Sequence, residues 1–265
     1  MHSRGASFAL IAIGRRMDDR SALLLRSIEG GLPRLMRLWI ALALVASLAR
    51  IALSPLHGQL PDLATLAPYL LLVAAPVASM LLALRWFGAG KSFPQPRLRL
   101  AVLGRWRALS ATEATAHPSF GASGWMVSLL LGILIGIPLR ASEYLATMPA
   151  LAGPVPAWLA TLHAMLTIDV VLLNSLYVVA LVAALRRVPS FPRLLLATWT
   201  ADLAMQLAIA EVAARSGDLP PAVGHALYLF LDGNIQKLLI GVALWLPYLL
   251  LSTRVNLTYR HRLPA

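Results

Sequence analysis

The chain has 265 residues, of which 59% are hydrophobic and only 13% are charged, and it contains no cysteine. Soluble domains contain about 45–50% apolar residues, and a soluble protein would have difficulty covering its surface with so little charge. The absence of thiols excludes disulfides, thiolate catalysis and thiolate metal sites. Composition therefore favours a protein that lipid covers over most of its surface.

Six apolar stretches are long enough, or nearly so, to cross a bilayer core of about 30 Å, which takes about 20 helical residues. In chain order they are residues 38–55, 66–87, 124–145, 158–185, 194–214 and 226–252. Segments rich in proline and glycine separate several of them, as loops between helices require. The sequence therefore predicts an all-α polytopic membrane protein with six transmembrane helices.

Charge predicts the orientation of these helices. The formal net charge is +12, and all of the 23 basic residues except Lys91 and Lys237 are arginines. Most of them lie in the N-terminal segment, in the second and fourth connectors and in the tail. Because lysine and arginine accumulate in cytoplasmic loops, we expect both termini in the cytoplasm.

The same dispersed charge bears on binding partners. A nucleic-acid site would concentrate basic residues beside stacking aromatics, and the sequence has no such cluster. We therefore expect no nucleic-acid partner. The lipid bilayer is the expected partner, and a second membrane protein remains possible.

The pattern of spans and loops divides the chain into three predicted parts. Residues 1–37 form a basic cytoplasmic leader, residues 38–117 a two-helix hairpin with a basic loop, and residues 118–265 a four-helix module. Residues 21–37 mix leucine and arginine, which fits either an interfacial helix or a solvated segment. Met17 offers a second plausible start, which would place residues 1–16 outside the native protein.

Three motifs occur in order in the C-terminal part. They are GASGW at residues 121–125, RR with SFPRL at residues 186–194, and WLPY with STRV and an aromatic at residues 245–259. Together they resemble the bacterial inner-membrane family known as domain of unknown function 2569, over roughly residues 118–262. The resemblance implies a four-helix module in the bacterial inner membrane, to which this chain adds two helices in front. It implies no established activity and no catalytic residue.

Several polar and charged side chains lie within the predicted spans, where a charged group costs about 2.5–3.5 kcal/mol near the helix centre. Asp202 lies near the midplane, so it must be protonated, paired or hydrated. We expect Arg140 or Lys237 as its counter-ion and Asn174 and Gln206 as hydrogen-bonding neighbours. The full candidate cluster is Asp202, Gln206, Asn174, Asp169, Arg140 and Lys237.

This cluster allows two interpretations. It is either a water-accessible cavity in the outer half of the bundle or a set of interhelical ion pairs and snorkelling side chains. The first hypothesis for function is an accessory or assembly factor that acts through partners. The alternative is a small-solute transporter or channel with a polar cavity around Asp202.

The remaining motifs give little information on function. The histidines lack the i, i+4 spacing of a helical zinc site, and neither a phosphate loop nor a nucleophile elbow occurs. We therefore expect no enzymatic activity, no catalytic residue, no metal and no cofactor. Gly132 and Gly136 form a GxxxG pattern, which predicts close helix packing within the bundle.

Overall fold

The computed structural model describes residues 2–55, 60–88, 93–97, 100 and 104–265, with side chains from Arg20 onward. The described residues form eight helices and a two-stranded antiparallel ribbon of β1 and β2. Lys91 and Arg99 of the predicted basic loop lie outside the described residues. In chain order the elements are α1 (His2–Leu53), α2 (Leu63–Trp86), β1 (Trp106–Ala108), α3 (Ala111–Ala116), α4 (Met126–Thr147), α5 (Ala157–Leu185), α6 (Phe191–Arg215), α7 (Pro221–Leu251), α8 (Thr253–Arg260) and β2 (Arg262–Pro264).

Six helices of the described chain are long and apolar enough to cross a membrane: α1 from Arg20 onward, α2, α4, α5, α6 and α7. The predicted all-α polytopic fold with six spans is therefore confirmed, and the chain is a multi-pass membrane protein. An even number of spans puts both termini on the same side. We call that side, predicted to be cytoplasmic, the inner end of the bundle, and the opposite side the outer end.

Local capping sets where the helices begin. The Asp62 side chain accepts a hydrogen bond of 2.8 Å from the Thr65 backbone N–H, so α2 begins at Leu63, before the predicted apolar run. Pro192 and Pro221 lie in the first turns of α6 and α7, where proline costs no backbone hydrogen bond. The spans are consequently a few residues longer than hydropathy predicts.

Helix α5 is the centre of the bundle and packs against α2, α4 and α6, whereas α1 lies on α2 and α4, and α7 lies on α6. Two apolar clusters of buried residues stack along it. The inner cluster includes Leu130, Leu181 and Leu195. The outer cluster includes Val170 and Ile209. Along their helices, Arg140, Asn174, Asp202 and Gln206 lie between residues of these two clusters.

Helix α1 continues without a break through residue 37, and its leader part packs on the inner end. Leu25 and Leu32 are buried in the inner cluster. The Ser21 hydroxyl accepts a hydrogen bond of 2.8 Å from the Gly124 backbone N–H. Glu29 forms an ion pair of 3.0 Å with Arg186 at the end of α5. The described leader is thus a helix anchored to the α4 and α5 ends.

The three C-terminal sequence motifs meet at the inner end around Tyr259. The Tyr259 hydroxyl donates a hydrogen bond of 2.9 Å to the Ala184 carbonyl, and its ring centre lies 5.0 Å from that of Phe191. The Gly121 backbone N–H donates to the Thr258 hydroxyl at 2.9 Å, and its φ of 120° favours glycine. We call these five residues the inner-end cluster.

The C-terminal tail is folded back on the end of α7. Arg260 is 3% exposed, and its Nη1 donates 2.8 Å hydrogen bonds to the Leu249 carbonyl and to Asn256 Oδ1. Burial, and then the neighbouring guanidiniums of Arg262 and Arg193, lower the pKa of Arg260 to about 10. In the ribbon, β2 pairs with β1 and so attaches the tail to the segment before α3.

The orientation can be tested at the C-terminus. A reporter domain that is active only in the periplasm, fused after Ala265, is expected to be silent because the basic tail favours the cytoplasm. The measurement is reporter activity in intact cells, normalised to the amount of fusion protein. A reporter active only in the cytoplasm, fused at the same residue, is the control. A bright periplasmic reporter would overturn the predicted orientation.

Candidate functional site

Arg140 on α4 joins carboxylates from two other helices. Its Nη1 lies 3.0 Å from Oδ2 of Asp169 on α5, and its Nη2 lies 2.6 Å from Oδ2 of Asp202 on α6. The carboxylate side chains are only 8% and 3% exposed, respectively. Buried charges of this kind persist only when they are paired and hydrogen-bonded. One guanidinium thus fixes the relative positions of three spans.

Two neutral side chains complete the set. The Tyr177 hydroxyl donates a 2.9 Å hydrogen bond to Asp202 Oδ2. The Gln206 amide nitrogen donates to Asp169 Oδ1 at 3.1 Å and, more weakly, to Asp202 Oδ1 at 3.4 Å. Gln206 lies one turn beyond Asp202 on α6, so both face α5. We call Arg140, Asp169, Tyr177, Asp202 and Gln206 the Arg140 cluster.

The Arg140 cluster opens on a cleft between α4 and α7 with a volume of about 340 Å³. Residues on one face of α4 form one wall, and residues on one face of α7 form the other. Tyr177, Trp199 and Asp202, from α5 and α6, lie between the walls. The walls include Leu129, Gly132, Ile133, Gly136, Arg140 and Glu143 on α4, and Asn234, Lys237, Leu238, Gly241 and Trp245 on α7.

Glycines make room for this cleft. A Cβ added at Gly132, Gly136 or Gly241 would meet no heavy atom of the described residues within 4 Å. The GxxxG pattern of α4 therefore does not bring two helices of this bundle into contact, and the expected packing role is wrong. The missing side chains instead widen the space between α4 and α7.

The structure places the six predicted residues in three different situations. Arg140, Asp169, Asp202 and Gln206 meet as expected. Lys237 lines the cleft, but its Nζ lies 2.7 Å from Glu143 Oε1, and no ion pair of the described chain joins it to Asp202. The expected Lys237–Asp202 pair is thus not formed, because Arg140 already occupies Asp202 and Glu143 lies on the wall that faces α7.

Asn174 does not belong to the Arg140 cluster. It is fully buried on α5 at 0% exposure, and neither of its amide atoms has a hydrogen-bond partner among the described residues. It lies five positions after Asp169, which places the two side chains on different faces of the helix. The expectation that it accompanies Asp202 is therefore not met.

Sequence reasoning missed two residues that line the cleft. Tyr177 lies about two turns after Asp169 on α5, and Trp199 lies about one turn before Asp202 on α6. Helical spacing from the two aspartates would have identified both. Trp199 is only 7% exposed.

The chemistry available in the cleft is charge pairing, hydrogen bonding and aromatic contact. Among the described residues, no group of three or more histidine, aspartate or glutamate side chains is placed to hold a metal ion. The sequence matches no family model, no curated protein and no solved structure. The resemblance to domain of unknown function 2569 therefore stays a prediction, and the cleft itself must supply the argument for function.

Proposed function

We propose that this multi-pass membrane protein is a carrier for a small polar or charged solute, which binds in the cleft between α4 and α7. The observation that carries the proposal is that the cleft reaches Asp202, a paired carboxylate near the membrane midplane. Solute sites of secondary transporters lie at this depth. Ionisable residues inside the membrane commonly line pathways for ions or substrates.

The cleft separates this proposal from a purely structural role. Interhelical ion pairs stabilise a bundle by close packing, and they need no open volume beside them. Here a volume of about 340 Å³ adjoins the Arg140–Asp202 pair. Pockets for small ligands measure about 300–1,000 Å³ and combine an apolar lining with a few polar groups. The arginine-rich inner end supports the bacterial inner membrane as the location of this carrier.

Cysteine accessibility tests the proposal directly, because the chain has no cysteine of its own. Gly241 lies on the cleft wall about 16 Å before the end of α7, close to the midplane of a bilayer core of about 30 Å. We expect Gly241→Cys to react with a charged, membrane-impermeant thiosulfonate applied from either side. The measurement is the labelled fraction in sealed vesicles of the two opposite orientations.

Ile240→Cys is the matched control. Ile240 is 68% exposed on the adjacent position of α7 but does not line the cleft, so lipid should shield it from the charged reagent. Equal labelling of the two variants would show that α7 is simply exposed to detergent or water. Gly241→Cys that stays unlabelled from both sides would contradict a solute pathway.

The second candidate is an accessory or assembly factor that acts through a membrane-protein partner. In α7, whose residues are all described, only Leu227, Leu231 and Leu249 are buried. Large apolar side chains of α7 are exposed and offer a surface to lipid or to another helix, among them Leu229, Leu239, Ile240 and Leu244. This candidate predicts that Gly241→Cys reacts from at most one side, because a partner site needs no alternating access.

A further inference from the structure

The charges of the cleft and of the Arg140 cluster behind it do not balance, and given the proposed carrier function this imbalance indicates which solute the cleft binds. Lys237 and Glu143 form a neutral pair across its outer part. Behind them, Arg140 is shared by Asp169 and Asp202, so this part carries one formal negative charge in excess. Asp169 lies behind the cleft wall and not on it, so the excess exists only when the Arg140 cluster is counted together with the cleft. Three carboxylates, Glu143, Asp169 and Asp202, then accompany two cations. An uncompensated charge away from water is costly.

Aromatic side chains line the same space, and the Arg140 guanidinium already lies over the Tyr177 ring, 6.0 Å from its centre. Tyr177, Trp199 and Trp245 all border the cleft, together with the Asp202 carboxylate. The electron-rich faces of tryptophan and tyrosine attract cations, and this attraction is strongest where water is excluded. A site that combines aromatic faces with excess negative charge recognises ammonium ions better than anions or neutral molecules.

The inner part of the cleft is apolar. Leu129, Ile133 and Leu238 line it beside Gly132 and Gly241, whose missing side chains leave space. Polar groups are confined to the outer part, from Asp202 to Glu143 and Lys237. A solute that fills the cleft therefore needs a charged head and an apolar body.

We propose that the solute is an organic monocation, an amine or a quaternary ammonium ion with an apolar body, held between the Asp202 carboxylate and the faces of Trp199 and Trp245. This inference rests on the proposed function and adds the class of solute. The cation supplies the positive charge that the Arg140 cluster lacks. A proton would balance the charge equally, but it would leave the aromatic and apolar lining without a role.

Three small molecules of nearly equal shape test the charge preference. Choline is the cation, 3,3-dimethylbutan-1-ol is its neutral isostere, and glycine betaine is the zwitterion. Binding to the full chain in an uncharged maltoside detergent is measured by saturation-transfer NMR titration. We expect the Kd for choline to be at least about tenfold lower than that for either of the other two, given the strength of desolvated cation–π contacts.

Variants locate the site. Asp202→Asn leaves Arg140 paired with Asp169 alone, so it should remove the excess charge and raise the Kd for choline at least about tenfold. Asp232→Asn, at a carboxylate of α7 outside the cleft, is the matched control and should leave choline binding unchanged. Trp245→Leu keeps every charge and should weaken choline selectively, so it serves as the test if Asp202→Asn does not fold.

The outcomes are distinguishable from those of the carrier test. Equal affinity for choline and its neutral isostere, or tighter binding of betaine, overturns the cationic solute. Choline binding that survives both Asp202→Asn and Trp245→Leu places the site elsewhere and also overturns it. If Gly241→Cys is labelled from both sides but the protein does not prefer choline, the proposed carrier function is supported and only the proposed class of solute is contradicted. If Gly241→Cys is labelled from neither side, the proposed carrier function itself is contradicted.

Discussion

Arg140→Leu is expected to lower the free energy of unfolding by about 3–5 kcal/mol, because it leaves two buried carboxylates without their counter-ion. The side chains of Asp169 and Asp202 are only 8% and 3% exposed, so little water reaches them to replace the guanidinium. The same substitution disconnects α4 from α5 and α6. The measurement is unfolding in mild detergent with rising denaturant, together with the amount of protein in the membrane.

Removing all three charges should reverse most of this loss. Arg140→Leu combined with Asp169→Asn and Asp202→Asn leaves no unpaired ion, and replacing a buried ionic set by neutral groups is often close to neutral for stability. Arg215→Leu is the control, because Arg215 and Glu211 form an exposed pair at the outer end that should contribute at most about 1 kcal/mol. If Arg140→Leu costs no more than Arg215→Leu, water fills the Arg140 cluster and the pairing is not structural.

Tyr259→Ala is expected to destabilise the folded protein by about 3–5 kcal/mol, as for other large buried aromatic side chains. Tyr259 is 1% exposed, packs on Phe191 and donates its hydroxyl hydrogen to the Ala184 carbonyl. Its removal leaves a cavity where the ends of α5 and α6 meet α8. The measurement is the midpoint of thermal or denaturant-induced unfolding of the purified protein.

Two variants calibrate this prediction. Tyr259→Phe keeps the ring and should cost only about 1 kcal/mol, the usual net contribution of one hydrogen bond. Tyr228→Ala removes a tyrosine that is 65% exposed on α7 and should change little. A similar cost for Tyr259→Ala and Tyr228→Ala would show that the inner-end cluster does not hold the bundle together.

The spans were predictable because a transmembrane helix needs a long apolar run, and such runs are visible without any tertiary information. Their ends were less predictable. The α2 start depends on the Asp62 side chain, which accepts from Thr65, and hydropathy does not register a polar cap. The ribbon was not predicted at all, because β1 and β2 each have only three residues and pair across most of the chain.

The site was half predictable for a similar reason. The depth of a residue in the membrane can be calculated from the sequence. Arg140 was therefore expected to pair with Asp202, which lies near the midplane. The position of a helix around the bundle axis cannot be calculated in this way. Lys237 has the right depth, but α7 lies across the cleft, where Glu143 is the carboxylate within reach. Asn174 also has the right depth, but it lies five positions after Asp169 on α5, and its amide atoms make no hydrogen bond with the described residues.

The folded-back tail has a mechanical consequence for the cleft. Arg260 holds the last turn of α7 through the Leu249 carbonyl, and β2 connects the tail to β1. Any outward swing of α7 must therefore pull α8 and the ribbon with it. Trp106 of β1 lies 5.7 Å beneath the Arg262 guanidinium, at the far end of this chain of contacts. The contacts between α7, α8 and the ribbon thus form one continuous path from the wall of the cleft to an indole at the inner end of the bundle.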